Sequence, residues 1–189
     1  VYKWVIDNMN KNIPNNSSST YPIWCWVKCG DDICPPKVKG KRVEGFDVKI
    51  TFNVDEKDIF ITDFRRFSFI LNNLYIPNSK EDKNKFDELL NEKNITLEEL
   101  KAYMRKDKYD SHRTDDEFIK VCELVASTFD RCITKDSDVL QGCVWKIDKE
   151  QIENIEILED DGYVYGSLNY VREDGTRRNW QEEYYEMLK

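Results

Sequence analysis

The sequence lacks most of the motifs from which a function can be inferred directly. It has no phosphate-binding Walker loop, no glycine fingerprint for a dinucleotide and no zinc-protease helix. Its one histidine, His112, lies in a charged segment, and a Ser-His-Asp triad would need the fold to bring its partners there. No apolar run approaches the roughly 20 residues that span a membrane, and Lys3 and Asp7 interrupt the stretch where a secretory signal would lie. We therefore expect a cytoplasmic protein without a membrane partner.

The size and charge of the chain favour one folded domain. With 189 residues, 40% apolar and 13% aromatic, the chain can bury a substantial core. It carries 29 basic and 37 acidic residues, a formal net charge of −8. Because nucleic-acid phosphates and anionic lipids repel an acidic protein, we expect no nonspecific binding to nucleic acid.

The six cysteines admit three interpretations. An even number can indicate disulfides in a secreted protein, but without a secretory signal free buried thiols are the simplest account. The third interpretation is a metal site, because Cys25, Cys29 and Cys34 lie close together and His112 or Cys143 could add a fourth ligand. The Cys-x2-Cys pair of a zinc knuckle is absent, so we expect no metal and keep a zinc-stabilised interaction domain as an alternative.

Patterns of apolar residues predict the order helix, strands, helices, strands, helix. Capping boxes at Thr96–Glu99 and Thr114–Glu117 mark two of the helix starts. The order indicates an α+β fold, with helices inserted between the two halves of a single mixed or antiparallel sheet. We expect one domain over residues 1–189, with a core at 1–158 and a carboxy-terminal hairpin and helix at 159–189. The predicted strands are 23–29, 46–54, 58–61, 139–147, 155–158, 163–167 and 168–172, and the other helices are 1–9, 64–74, around 86–90, and 180–189.

Two segments allow more detailed local predictions. Ile23–Cys29 alternates as a strand, with Trp24 and Trp26 on one face and apolar residues on the other. Such a strand is either covered on both faces or lines a cleft with its tryptophans. Asp63 suits the N-cap of the helix that follows it, and Asn72 suits a hydrogen bond to nearby loop backbone.

Four short motifs together resemble one known family. They are residues 1–5 (V-Y-K-W-V), Tyr21–Trp26 (Y-P-I-W-C-W), Thr62–Asn72 and Leu140–Ile147. They resemble the A-Y-D-W-M, Y-P-I-W-A-W, S-D-F-x-x-W-H-x-V-L-N and I-Q-A-T-F-W-E-L patterns of the uncharacterised bacterial and phage domain-of-unknown-function family 3841. The resemblance covers about residues 1–158. Phe67-Ser68 replaces the Trp-His pair of that family, which argues against a catalytic histidine at this place.

A more distant resemblance concerns the late strand of the sequence. Gln141-Gly142-Cys143 followed by Ile152 and Ile155 is similar to the Q-A-E-x-L…I-x-x-I segment of DNA- and RNA-modifying ADP-ribosyltransferases. This resemblance implies an ADP-ribosyltransferase-like fold and nicotinamide adenine dinucleotide (NAD) as a candidate cofactor. Cys143 stands where those enzymes have their catalytic glutamate, so the resemblance implies a non-standard or degenerate active site.

The candidate ligand-binding residues are mainly aromatic. If the strands of Trp24 and Trp145 share a sheet, their rings could line a cleft and stack on a nucleobase or nicotinamide, which contributes roughly 1–3 kcal/mol per ring. Core packing is the competing interpretation of the same rings. The candidates are Tyr21, Trp24, Trp26, Asp63, Asn72, Gln141 and Trp145.

Besides the zinc-stabilised interaction domain, two functions remain open from the sequence. The first is an ADP-ribosyltransferase-like, nucleotide-binding domain with a degenerate active site. The second is a non-enzymatic module that captures a protein partner or a small ligand. Cys143 in place of a glutamate favours the second function over the first.

Overall fold

Helices and strands follow one another in blocks along the chain. The computed structural model describes residues 2–15, 17–28, 47–105, 113–158 and 180–188. None of the helices in these ranges is long and apolar enough to cross a membrane. The helices are α1 (Tyr2–Asn12), α2 (Phe64–Leu71), α3 (Lys80–Glu92), α4 (Leu97–Arg105), α5 (Asp116–Ser127) and α6 (Trp180–Met187), and the strands are β1 (Ile23–Lys28), β2 (Asp47–Phe52), β3 (Phe60–Asp63), β4 (Leu140–Val144) and β5 (Ile152–Leu158).

The predicted α+β class is confirmed, and the predicted single sheet is corrected to two. β1, β4 and β3 form a three-stranded antiparallel sheet in the order β1-β4-β3, whereas β2 pairs with β5 alone. The β2–β5 register runs from Asp47 opposite Leu158 to Phe52 opposite Ile152. The alternation of apolar and polar residues along a strand indicates that one of its faces is buried, but it does not identify the partner strand. The hairpin predicted at 163–172 lies outside the described residues.

The chain divides into two compact units that are discontinuous in sequence. The first comprises Val1–Ile61 and Lys135–Arg178, and the second comprises Thr62–Thr134 and Asn179–Lys189. The first unit therefore contains α1, β1, β2, the first half of β3, β4 and β5, and the second contains the rest of β3 and α2 to α6.

In the first unit, α1 packs against the three-stranded sheet. Val5 and Met9 of α1 are fully buried, and the Trp4 ring meets the Phe60 ring of β3 edge-on at 5.9 Å. Every residue of the central strand β4 is buried. At Gly142 an added Cβ would lie 2.5 Å from Cδ1 of Ile59, so a larger residue there would displace that side chain.

In the second unit, side chains cap the helix starts largely as predicted. Asp63 accepts a hydrogen bond from the Arg66 backbone N–H at 2.8 Å, as an N-cap residue does. The Thr96–Glu99 capping box is confirmed, since each side chain binds the other residue's backbone N–H.

The start of α5 differs from the prediction by one residue. Asp115, not Thr114, caps the helix and accepts the Phe118 backbone N–H at 3.0 Å. Arg113 forms an ion pair with the Asp115 carboxylate at 2.7 Å, which a threonine hydroxyl could not do. Because threonine and aspartate are both good cap residues, the sequence did not distinguish these neighbours.

The carboxy-terminal helix α6 packs onto the core of the second unit. Phe69 of α2 is fully buried and meets the rings of Tyr184 and Tyr185 edge-on, at 5.3 Å and 5.5 Å. The Tyr184 hydroxyl donates to the Pro77 carbonyl at 2.6 Å. α6 is therefore part of this unit and not a free appendage.

A partly buried network of hydrogen bonds joins α3 to the segment that follows α5. Arg131 donates to the Asp82 carboxylate at 2.8 Å and to the Ile76 carbonyl at 2.6 Å, and the Tyr75 hydroxyl donates to Asp82 at 2.7 Å. Burial opposes the ionisation of Asp82, but hydrogen bonds from the Asn78 backbone N–H and from Tyr75, together with Arg131, hold the pKa of Asp82 below its ordinary value.

We expect Asp82→Asn to lower the free energy of unfolding by about 1–3 kcal/mol at pH 7, because hydrogen bonds to a charged group are lost. A lowered folded-state pKa stabilises the fold above the ordinary carboxyl pKa, and this stabilisation is lost as the pH falls through the folded value. The difference in unfolding free energy between Asp82→Asn and the unchanged protein should therefore shrink when urea titrations are run at successively lower pH. Asp87→Asn, which breaks an exposed pair with Lys83 on the same helix, is the control and should cost at most about 1 kcal/mol.

Candidate functional site

Two tryptophans lie on one face of the three-stranded sheet, and a third directly follows its central strand. In the β1–β4 register Trp24 is opposite Cys143 and Trp26 is opposite Gln141. Directly opposed residues of an antiparallel pair share a face, as do alternate residues along one strand. Trp26 and Trp24 therefore lie on the same face as Gln141. These two rings and Trp145, which directly follows β4, are called the tryptophan row below.

Helix α1 covers one end of the tryptophan row and leaves the other end open. The Trp145 indole N–H points to the Ile13 carbonyl at 3.4 Å, and Trp145 is only 5% exposed. The Tyr2 ring meets the half-buried Trp24 ring edge-on at 6.4 Å. Trp26 is 37% exposed. Trp145 and Trp24 thus have a packing role, and Trp26 is the ring that solvent can reach most easily.

Gln141 adds an amide beside the open end of the row. It lies across from Trp26 in the neighbouring strand and is 7% exposed. An exposed indole beside a largely buried amide places a stacking surface next to a polar group, an arrangement that suits a flat heteroaromatic ring.

The structure does not bring the other three candidates to this place. Tyr21 is 69% exposed and precedes β1, so it is not part of the paired strand that holds Trp26. Asp63 and Asn72 belong to the second unit. Asp63 caps α2, as the sequence indicated. The Asn72 amide donates to the Ser68 carbonyl at 2.7 Å, so its partner is the backbone of α2 itself and not the loop backbone that the sequence indicated.

Cys143, the residue that the distant resemblance matched to the transferase glutamate, is deeply buried. It lies on the central strand β4 and is 1% exposed. Burial, and secondarily the nearby Cys25 thiol, raises the pKa of Cys143 well above its usual range. Because the thiolate is the reactive form of cysteine, this thiol is poorly placed to act as a nucleophile or base.

The described cysteines are free thiols. They are Cys25, Cys122, Cys132 and Cys143. Cys25 is opposite Gly142 and Cys143 is opposite Trp24, so these two neighbouring thiols point to opposite faces of the sheet. Burial raises the pKa of Cys25 to about 11, although the Gly142 backbone lowers it somewhat.

The proposed metal ligands are only partly described. Cys29 and Cys34 lie outside the described residues, so their relation to Cys25 is not part of the structure. Within the described ranges, no group of three or more His, Cys, Asp or Glu side chains is placed to hold a metal ion.

A cleft of about 240 Å³ lies at the closed end of the tryptophan row. The ends of α1, β2 and β4 and the two 3₁₀ turns Glu56–Asp58 and Lys149–Gln151 surround it. Its lining includes apolar Ile13, Val54 and Trp145 and charged Asp58, Lys146 and Asp148. Of these residues, only Trp145 was among the candidates predicted from the sequence. A charged residue in a polar turn is usually exposed to solvent and does not stand out in a sequence. The only available signal was that Lys146 and Asp148 closely follow Trp145.

Comparison with known proteins gives one match. A family model described as "Domain of unknown function (DUF3841)" matches residues 1–153. No curated protein and no solved structure matches the chain.

Proposed function

The chain belongs to this domain-of-unknown-function family, and from that premise we propose that it is a non-enzymatic binding module for a nucleotide-type ligand. The ligand's flat heterocycle stacks on Trp26 at the open end of the tryptophan row. Gln141 hydrogen-bonds to the edge of that heterocycle.

One observation carries the proposal. Trp26 is the exposed member of an otherwise packed row, and it lies directly across from Gln141. A single exposed ring is common on protein surfaces. A ring and an amide held on adjacent, paired strands are positioned more rigidly than groups on loops, and rigid placement reduces the entropy lost on binding.

The proposal excludes transfer chemistry by Cys143. That side chain lies on the same face, but it is buried and its pKa is raised by burial. A glycosyl transfer needs a carboxylate that can stabilise positive charge developing on the sugar, and a neutral thiol supplies none. The tryptophan row therefore supports binding without ADP-ribosyl transfer.

We expect Trp26→Ala to weaken binding of the preferred nucleotide about 5- to 150-fold, because roughly 1–3 kcal/mol of stacking is lost. Thermal-shift titration against NAD, ADP-ribose, and a panel of nucleotides would identify the ligand, since saturation at 100 times Kd adds about 2.7 kcal/mol to stability. Isothermal titration calorimetry would then give Kd for each variant. Tyr21→Ala removes an exposed aromatic near the other end of β1 and should leave Kd unchanged.

Three outcomes would each contradict a part of the proposal. If the folded protein shows no shift with any compound of the panel, the nucleotide-type ligand is wrong. If binding occurs and isotope-labelled NAD transfers its ADP-ribose to protein or nucleic acid, the non-enzymatic part is wrong. If Trp26→Ala and Tyr21→Ala weaken nucleotide binding equally, the ligand does not bind at the open end of the tryptophan row.

A further inference from the structure

Helix α1 begins beside the open end of the tryptophan row. Its first residue, Tyr2, meets the Trp24 ring at 6.4 Å. Ile13, directly after its last residue, contacts Trp145 through its carbonyl at 3.4 Å. Along the paired strands the three indoles follow in the order Trp26, Trp24, Trp145. The helix therefore runs from Trp24 towards Trp145, and its amino-terminal end faces Trp26.

The position of Tyr2 in the helix directs its side chain towards the open end. In an α-helix each Cα–Cβ bond tilts towards the amino terminus, and long side chains follow that direction. Because Tyr2 is the first residue of α1, we expect its ring to project past the end of the helix. Tyr2 remains 61% exposed although its ring contacts Trp24, which agrees with this placement.

Two accessible rings therefore flank one half-buried ring. Trp26 is 37% exposed and lies two residues along β1 from Trp24, a separation of about 7 Å. Tyr2 contacts the same Trp24 ring from the side of the helix. A flat ligand that stacks on Trp26 thus has a second aromatic side chain within reach, on a different element of the fold.

A second aromatic face makes the site selective for the size of the heterocycle. Every nucleobase can stack on an aromatic side chain, and its preference for a site follows from the strength of stacking. A purine has two fused rings and overlaps each aromatic face more than a pyrimidine does. When rings lie on both sides of the base, a purine gains that advantage twice.

We propose that Tyr2 is a second binding residue of this site, and that the ligand is a purine nucleotide whose base lies between Trp26 and Tyr2. This inference rests on the nucleotide binding proposed above and adds to it the second aromatic face and the class of base.

Calorimetric titration with AMP, GMP, CMP and UMP tests the proposal. We expect the preferred purine nucleotide to bind at least fivefold more tightly than either pyrimidine nucleotide. Tyr2→Leu keeps an apolar contact with Trp24 but removes the aromatic face. It should weaken purine binding at least fivefold and reduce the preference for purines at least twofold. Tyr2→Phe should bind like the unchanged protein. Tyr21→Leu, the same change in a tyrosine that is 69% exposed, should leave Kd unchanged.

The variants separate this inference from the proposed function. If none of the four nucleotides binds, both are wrong. If purine binding depends on Trp26 but Tyr2→Leu binds as tightly as the unchanged protein, the proposed function stands and the second aromatic face is wrong. Equal weakening by Tyr2→Leu and Tyr21→Leu leads to the same conclusion. Equal affinity for purine and pyrimidine nucleotides would also overturn the inference, and this comparison needs no variant, so it decides even if Tyr2→Leu does not fold.

Discussion

Phe69→Ala is expected to lower the free energy of unfolding of the second unit by about 3–5 kcal/mol. Phe69 is fully buried, and its ring meets both tyrosines of α6, so truncation leaves a cavity between α2 and α6. Denaturant unfolding followed by circular dichroism would measure the loss. Because Tyr184 and Tyr185 of α6 lose their contact with the Phe69 ring, limited proteolysis should also cut the variant between residues 180 and 188 faster than the unchanged protein.

Phe64→Ala is the matched control for this experiment. Phe64 is the first residue of the same helix and is only half-buried, so its truncation should cost less than half as much. Equal losses for the two variants would mean that Phe69 is not the contact that holds α6. Unchanged proteolysis of α6 in Phe69→Ala would lead to the same conclusion.

Cys143→Glu, which introduces the glutamate found in the ADP-ribosyltransferase segment that this strand resembles, is expected to destabilise the first unit by about 3–5 kcal/mol at pH 8. The position is 1% exposed on a strand buried along its whole length, so the new carboxylate would have no water around it. Burial would raise the folded-state pKa of the glutamate above its unfolded value of about 4.3. The variant therefore binds more protons when folded than when unfolded.

The pH dependence follows from that difference in bound protons. Stability falls as the pH rises above about 4.3 and stops falling once the pH exceeds the folded-state pKa. Cys143→Gln has nearly the same volume and no charge, so its stability relative to the unchanged protein should not vary with pH. Urea midpoints for both variants at pH 4 and pH 8 would check this. Equal stability of the two variants at pH 8 would show that position 143 is accessible to water and would reopen the transfer chemistry.

The predictions from sequence were correct for features that depend on residues close together in the chain. The apolar stripe after Asp63 correctly predicted α2, and the tryptophans of β1 do share a face, because both patterns depend on neighbouring residues alone. α3 is 13 residues long, although the sequence indicated only a short helix around Phe86. Its two buried residues leave a weak stripe, and its N-cap, Ser79, was not recognised.

The global predictions failed where distant segments decide the structure. β2 pairs with β5, about a hundred residues later, and alternation along either strand contains no information about that choice. The site shows the same division. Alternation along β1 predicts that Trp24 and Trp26 share a face. The position of Gln141 opposite Trp26 depends on the register between β1 and β4. The burial of Trp145 depends on its contact with the end of a separate helix, α1.

The placement of α6 also has a consequence for how the protein is made. A ribosome releases α2 to α5 before it has synthesised Trp180, so the Phe69 ring first emerges without the tyrosines that later cover it. Amino-terminal segments generally fold first during synthesis, but this helical unit cannot close until its final helix has left the exit tunnel. Every nascent copy therefore passes through a stage with an apolar patch around Phe69, and a chain halted before Trp180 keeps that patch as a permanent target for chaperones and proteases.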